Sequence, residues 1–329
     1  MMIKRNFSMP NLILSLFFSA AMLVAPMIGA EGDPVEVSSL GYDSEFATLN
    51  GLRFHYVHRG EGDLMVFLHG YPFFGAAWDK LLSHFAGTYH VVAPDNRGYN
   101  LSAKPKGVEN YRIEFLVEDV KALIEHFPTD KKVTLVGHDW GGALAWAVAQ
   151  KYPEMVNKLV VINAPPYNVL LDMIVNNEQQ KKSSAYMEKL KSPNMEKVFD
   201  EHGPQLLWGY GFDRAYAKGH LDDQFKGAFF SAWSQPGAIT GAVNWYRANI
   251  PALKEINDST YWPAKLSRVT VPSLLIWTEN EATFVPAMLD EIPKYVDDLR
   301  ITVIPGSGHT PFFDEAEQVI AAMEKFAHE

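Results

Sequence analysis

The 329-residue chain contains no cysteine. It can therefore form no disulfide framework, has no thiolate to serve as a nucleophile, and offers no cysteine for lipid attachment. A basic stripe is also missing. The 29 Lys and Arg are scattered among 39 Asp and Glu, for a formal net charge of −10, so the electrostatic footprint of a nucleic-acid or anionic-lipid partner is absent. No internal repeat or low-complexity tract is seen. A hydrophobic fraction of 47% and an aromatic fraction of 13% argue against disorder and suffice for one large domain or a domain with a sizeable insertion. The ligand such a chain suits is small and neutral or weakly polar.

The apolar run from Leu12 to Met27 falls short of the ~20 residues of a membrane-spanning helix. It follows Lys4 and Arg5 and ends at Ile28-Gly29-Ala30, just before Glu31. That order of charge, apolar stretch and small residues is that of a secretory signal peptide. Residues 1–30 are accordingly expected to direct export to the periplasm or the exterior and to be cleaved, leaving no stable membrane insertion. An uncleaved anchor is the alternative.

From Leu52 onward the sequence alternates strands and helices. Leu52, Phe54 and Tyr56 recur at period two, and Leu64–Leu68, His90–Ala93, Val133–Val136 and Leu159–Ile162 are short apolar runs of strand type. Between them, Ile113, Leu116, Val117, Val120, Leu123 and Ile124 keep helical spacing, and Ala143–Gln150 is an Ala-rich helix. Such alternation predicts an α/β protein with a mostly parallel sheet flanked by helices. It stops after Ala164-Pro165-Pro166, where Lys-, Glu- and aromatic-rich helical sequence follows. It resumes at Ser273–Ile276 and Ile301–Ile304 before a last helix near Glu315–Phe326. The expected organisation is a first core segment over 31–165, a helical cap over 166–266 and a second core segment over 267–329.

The strongest local signal is Gly137-His138-Asp139-Trp140-Gly141-Gly142, between the strand Val133–Val136 and the helix starting at Ala143. A sharp strand-to-helix turn of this kind exposes one side chain above the sheet and needs small residues where the backbone packs closely. Here the exposed residue is Asp139. A carboxylate attacking an acyl carbon gives a reactive anhydride, whereas attack on a saturated carbon gives an ester that water can cleave. The electrophile expected is thus an epoxide or an alkyl halide. The plainer reading of Asp139 is a helix N-cap.

Cleaving an aspartyl ester needs a base for water and donors for the oxyanion. Gly306-Ser307-Gly308-His309 follows the strand Ile301–Ile304, which makes His309 the candidate base, and Glu281, 28 positions earlier, the acid that would orient it. Nucleophile, acid and histidine then stand in the chain order of the α/β-hydrolase triad. The loop His69-Gly70-Tyr71-Pro72, after the strand Leu64–Leu68, is a natural source of oxyanion donors. The two candidates are the backbone N–H groups of Tyr71 and Trp140. His55 and His58, three apart on a strand, face opposite ways and suggest no metal site.

Three segments resemble the core motifs of soluble epoxide hydrolases of the α/β-hydrolase superfamily: His69-Gly70-Tyr71-Pro72, Asp95-Asn96-Arg97-Gly98-Tyr99 with Ser102 and Pro105, and the Gly137–Gly142 elbow. Gln235-Pro236-Gly237-Ala238 and Asn244-Trp245-Tyr246-Arg247 are similar to cap motifs of that family, and the likeness runs from about Phe46 to the C-terminus. The resemblance implies an α/β-hydrolase fold with an inserted helical cap. It also implies conversion of an epoxide and water to a vicinal diol without a cofactor, and two cap tyrosines that donate hydrogen bonds to the epoxide oxygen. Tyr246 matches the second of these, and Tyr186, seven residues before Pro193, is the candidate for the first.

The chain departs from the family in having Thr278 and Glu281 where Gly and Asp are usual, and the position where some relatives carry the acid is Asn163. The competing reading is a haloalkane or haloacid dehalogenase with the same nucleophile. Haloalkane dehalogenases usually have Asn at the Tyr71 position, and fluoroacetate dehalogenases usually have Arg at that of Trp140. A non-catalytic binding protein on the same fold is a third reading.

Overall fold

The computed structural model describes residues 41–209 and 212–329. The signal-peptide expectation for residues 1–30 lies outside them. Among the described residues no helix is long and apolar enough to cross a membrane.

Among the described residues eight strands form one sheet in the order β1-β2-β4-β3-β5-β6-β7-β8. They are β1 (Asp43–Leu49), β2 (Leu52–Arg59), β3 (Asp63–Leu68), β4 (Tyr89–Pro94), β5 (Val133–His138), β6 (Val156–Ile162), β7 (Ser273–Thr278) and β8 (Leu299–Ile304). Only β2 runs against the rest. The central strands β3, β5 and β7 are buried along almost their whole length, as parallel strands covered on both faces must be, and this is why they appear in the sequence as unbroken apolar runs. Strand β1 has no counterpart in the sequence-based expectation, which begins the sheet at Leu52. It is joined to β2 by Asn50-Gly51, both at positive φ (51° and 77°), the backbone twist that a two-residue hairpin requires.

Helices α1 (Asp79–Phe85), α2 (Ile113–His126) and α3 (Trp140–Lys151) connect the strands of the first part. Between β6 and β7 the described residues as far as Asn249 are mostly helical. This stretch comprises α4 (Tyr167–Asn176), α5 (Glu178–Ser183), α6 (Ala185–Leu190), α7 (Met195–His202), α8 (Gln205–Trp208), α9 (Phe212–Ala217), α10 (Asp223–Trp233) and α11 (Ala238–Asn249). Indole N–H groups fasten it to the loops after β3 and β4. Trp233 Nε1 donates to the Pro72 carbonyl at 2.6 Å, and Trp245 Nε1 to that of Arg97 at 2.8 Å. Asn249 clamps the entry to α2, accepting from the Ile113 N–H at 2.7 Å and donating to the Tyr111 carbonyl at 2.8 Å. The loops leaving the carboxyl ends of β3, β5, β6, β7 and β8 converge beneath these helices, where sites form in sheets of this kind.

Candidate active site

Asp139 follows β5 at the N-cap position of α3, yet its side chain makes no capping bond. Its backbone is held at φ 54°, ψ −123°, a strained conformation for a residue with a Cβ. The carboxylate is thereby turned away from the helix and toward the loop after β3. There the Tyr71 N–H donates to Oδ1 at 2.8 Å. This contact depends on Gly70, because a Cβ at that position would come within 2.3 Å of the same Oδ1. The turn also depends on Gly141, where a Cβ would lie 2.0 Å from the Leu68 carbonyl oxygen.

His309 faces the other carboxylate oxygen, with Nε2 3.6 Å from Asp139 Oδ2, and its Nδ1 is 2.7 Å from Glu281 Oε2. Glu281 is itself fixed, since its Oε1 accepts from the N–H groups of Thr283 at 2.6 Å and Phe284 at 3.3 Å. The carboxylate at 279, by contrast, accepts from the Gly306 N–H at 3.2 Å and lies on the exposed side of the loop. Burial opposes charge on both partners. It pushes the Asp139 carboxyl up, but the His309 hydrogen bond and charge, with help from His138 and the Trp140 N–H, bring it below the usual carboxylate range. It likewise disfavours the imidazolium, but the Glu281 charge and the bonds to Asp139 and Glu281 lift His309 to about 10. The resting pair is carboxylate and imidazolium.

Tyr246, on α11, is 1% exposed, and its ring stands edge-on to Tyr71 and Trp140 at centroid distances of 5.5 and 5.2 Å. Tyr186, on α6, lies 6.3 Å from Tyr246 by the same measure. Burial first, followed for Tyr186 by the Asp139 charge and for Tyr246 by Tyr186 and then Asp139, raises both phenols well above the ordinary tyrosine value, so both remain protonated donors. The structure thus gathers Asp139, His309, Glu281, Tyr186, Tyr246 and the N–H groups of Tyr71 and Trp140 at one place.

Comparison with known proteins places the chain in a family. A family model described as alpha/beta hydrolase fold matches residues 63–316. Epoxide hydrolase 4 of Homo sapiens is 36% identical over 269 residues, covering 79% of this chain and 71% of that protein. Epoxide hydrolase 3 of Mus musculus is 35% identical over 79% of this chain and 70% of its own length. The chain belongs to the epoxide hydrolases of the α/β-hydrolase superfamily. A crystal structure of a mutant epoxide hydrolase from Bacillus megaterium superposes with a TM-score of 0.81 at 31% identity, covering 87% of this chain and 100% of that one.

Within this family framework, three residues to which the sequence reading gave no role hold the site together. Asn163, at the end of β6 with φ 45°, accepts from the Thr278 N–H at 3.0 Å and donates from Nδ2 to the carbonyls of Gly308 and His309 at 3.2 and 3.1 Å. His138 adds a second donor to the His309 carbonyl from Nε2 at 2.8 Å. Burial first, then the charge of His309, depresses His138 to about 3, so its ring is neutral. Arg247 grips the chain leaving α6. Its guanidinium bonds both oxygens of Glu196, at 2.6 and 2.9 Å, and the Ser192 carbonyl at 2.7 Å. Its motif was visible in the sequence, but its partners, about fifty positions upstream, were not.

Proposed function

We propose that the chain hydrolyses a small-molecule epoxide to a vicinal diol through an ester on Asp139. The observation that carries the reading is the division of labour on one carboxylate. Oδ1 is held by the Tyr71 N–H while Oδ2 stays available beside an imidazole oriented by Glu281. In the first step Oδ2 attacks a ring carbon, the carbon–oxygen bond of the ring breaks, and the ring oxygen takes its hydrogen bond and proton from the side of Tyr186 and Tyr246. The resting imidazolium gives up its proton to replace the one the phenols supply, which leaves the phenols protonated and His309 neutral.

Ester formation abolishes the Asp139 charge, which is one of the groups raising His309. With that charge gone, the imidazole can act as a base. Its Nε2 takes a proton from water, the hydroxide adds to the ester carbon, and negative charge develops on Oδ1, facing the N–H groups of Tyr71 and Trp140. Collapse passes the remaining proton to the departing alkoxide and restores carboxylate and imidazolium. The sum is epoxide plus water giving diol.

A panel of aliphatic, aromatic and fatty-acid epoxides, assayed for diol alongside halogenated analogues, tests the activity. Diol formation is expected. Halide release with no diol from any epoxide would assign the nucleophile to dehalogenation instead. Export through residues 1–30 belongs to the same proposal, supported by the Lys4-Arg5, apolar and small-residue order. Mass analysis of the mature chain should find its start near Glu31, and a full-length chain in the cytosol would contradict it.

A further inference from the structure

A second relay of hydrogen bonds lies outside this site. Asp95 directly follows β4, and its Oδ2 is 2.6 Å from His55 Nδ1, while His55 Nε2 is 2.7 Å from Ser44 Oγ. His55 and Asp95 are each 1% exposed, whereas Ser44, on the edge strand β1, is exposed. Asp95 is fixed by the Gly75 N–H at 2.9 Å on Oδ1, and by Asn100 Nδ2 at 2.8 Å and the Leu101 N–H at 3.3 Å on Oδ2. Burial pushes its carboxyl up, but the His55 charge and hydrogen bond and the Gly75 N–H hold it below the usual range, so it is an acceptor. His55 Nδ1 therefore donates to Asp95, and the other ring nitrogen, Nε2, is the one that meets the serine hydroxyl. The exposed Phe46 packs beside His55 at 5.1 Å and carries the Arg53 guanidinium 3.3 Å above its ring. One exposed phenyl ring bearing a cation thus adjoins the serine.

We propose that Ser44, His55 and Asp95 form a second nucleophilic site, which accepts acyl or phosphonyl groups from activated esters independently of Asp139. Ser44 Oγ bonds to the carbonyl carbon or to phosphorus, its proton passes to His55 Nε2, and the leaving aryloxide or fluoride departs with that proton. The serine is left acylated or phosphonylated. Asp95 keeps the ring in the productive tautomer and balances its charge while the proton is on it.

The test is labelling of the full chain with an alkyl fluorophosphonate, read by peptide mass mapping. Ser44 should be phosphonylated on the order of 10²-fold faster than Ser259, because it has a general base. Ser259 is exposed and bonds to Asn257 of its own turn, so it serves as a control within the same sample. Ser44→Ala should lose the adduct and keep epoxide turnover, and Asp139→Asn should keep the adduct. Equal labelling of Ser44 and Ser259, no adduct on Ser44, or an adduct that survives in Ser44→Ala would each overturn the proposal.

Discussion

The two-step scheme requires His309 to be a cation before the ester forms and a base afterwards, so neutralising Asp139 must lower the affinity of His309 for its proton. Asp139→Asn removes the charge as ester formation does, while keeping the size of the carboxylate. The charges stand 3.6 Å apart, and at an effective dielectric near 20 one unit pair at that distance is worth about 4–5 kcal/mol. The His309 side chain is 25% exposed, and solvent screening at a partly open site brings this to roughly 2 kcal/mol. At 1.36 kcal/mol per tenfold change in affinity, His309 should titrate about one and a half pH units lower in Asp139→Asn. The assay is NMR titration of ¹³C-labelled histidine, with the His309 resonance assigned by its absence in His309→Gln. The same interaction appears in stability. His309 is raised from its ordinary 6.5 to about 10 in the folded chain, so its contribution is complete below pH 6.5 and is lost as pH rises toward 10. Over that window the wild type should lose more of its unfolding free energy than Asp139→Asn. An unchanged or higher midpoint for His309 in the variant would refute the charge-switching argument.

Three further outcomes follow from the geometry. His309→Gln should still be alkylated but not hydrolysed, so the protein gains the mass of the epoxide and holds it; wild-type turnover would show that another group is the base. Tyr186→Phe and Tyr246→Phe should each slow single-turnover alkylation on the order of 10²-fold while leaving hydrolysis of a preformed ester untouched, and unaltered alkylation in both would remove the phenols from the mechanism. Arg247→Ala removes the guanidinium that bonds Glu196 and the Ser192 carbonyl. It should lower unfolding free energy in urea by about 1–3 kcal/mol and slow alkylation without affecting ester hydrolysis, whereas an equal loss in both steps would mean that it does not act through Tyr186.

Much of the sheet and the order of the motifs was legible because parallel strands buried on both faces leave continuous apolar runs, and because a strand-to-helix elbow needs small residues at fixed places. Strand β1 was not legible by the same rule, since only Ala47 and Leu49 of its seven residues are buried, although Asn50-Gly51 was a usable hairpin signal. Sequence spacing placed Glu279 and Glu281 as near neighbours. What separates them is the turn that gives Glu281 the N–H groups of Thr283 and Phe284. That turn is in turn braced by Gln180 from the cap, which accepts from the Val285 N–H at 2.9 Å and donates to the Thr283 carbonyl at 3.1 Å. Such a contact joins positions about a hundred residues apart, and no local pattern encodes it. His138 shows the same limit: its adjacency to Asp139 is plain in the sequence, but its bond to the His309 carbonyl crosses 171 positions.

Asn163 limits how this site could change over time. Its amide presents hydrogens to two carbonyl oxygens of the histidine loop and an acceptor to the end of β7. An aspartate there would keep the acceptor but bring a negative oxygen against two others, with no hydrogen between them. Moving the acid from 281 to 163 is therefore not a matter of two independent substitutions: the first would push the loop holding His309 out of place before the second could benefit. With this loop fastened by an amide, the carboxylate is committed to the neighbouring strand, and placing it at 163 would require a rebuilt turn at 306–309.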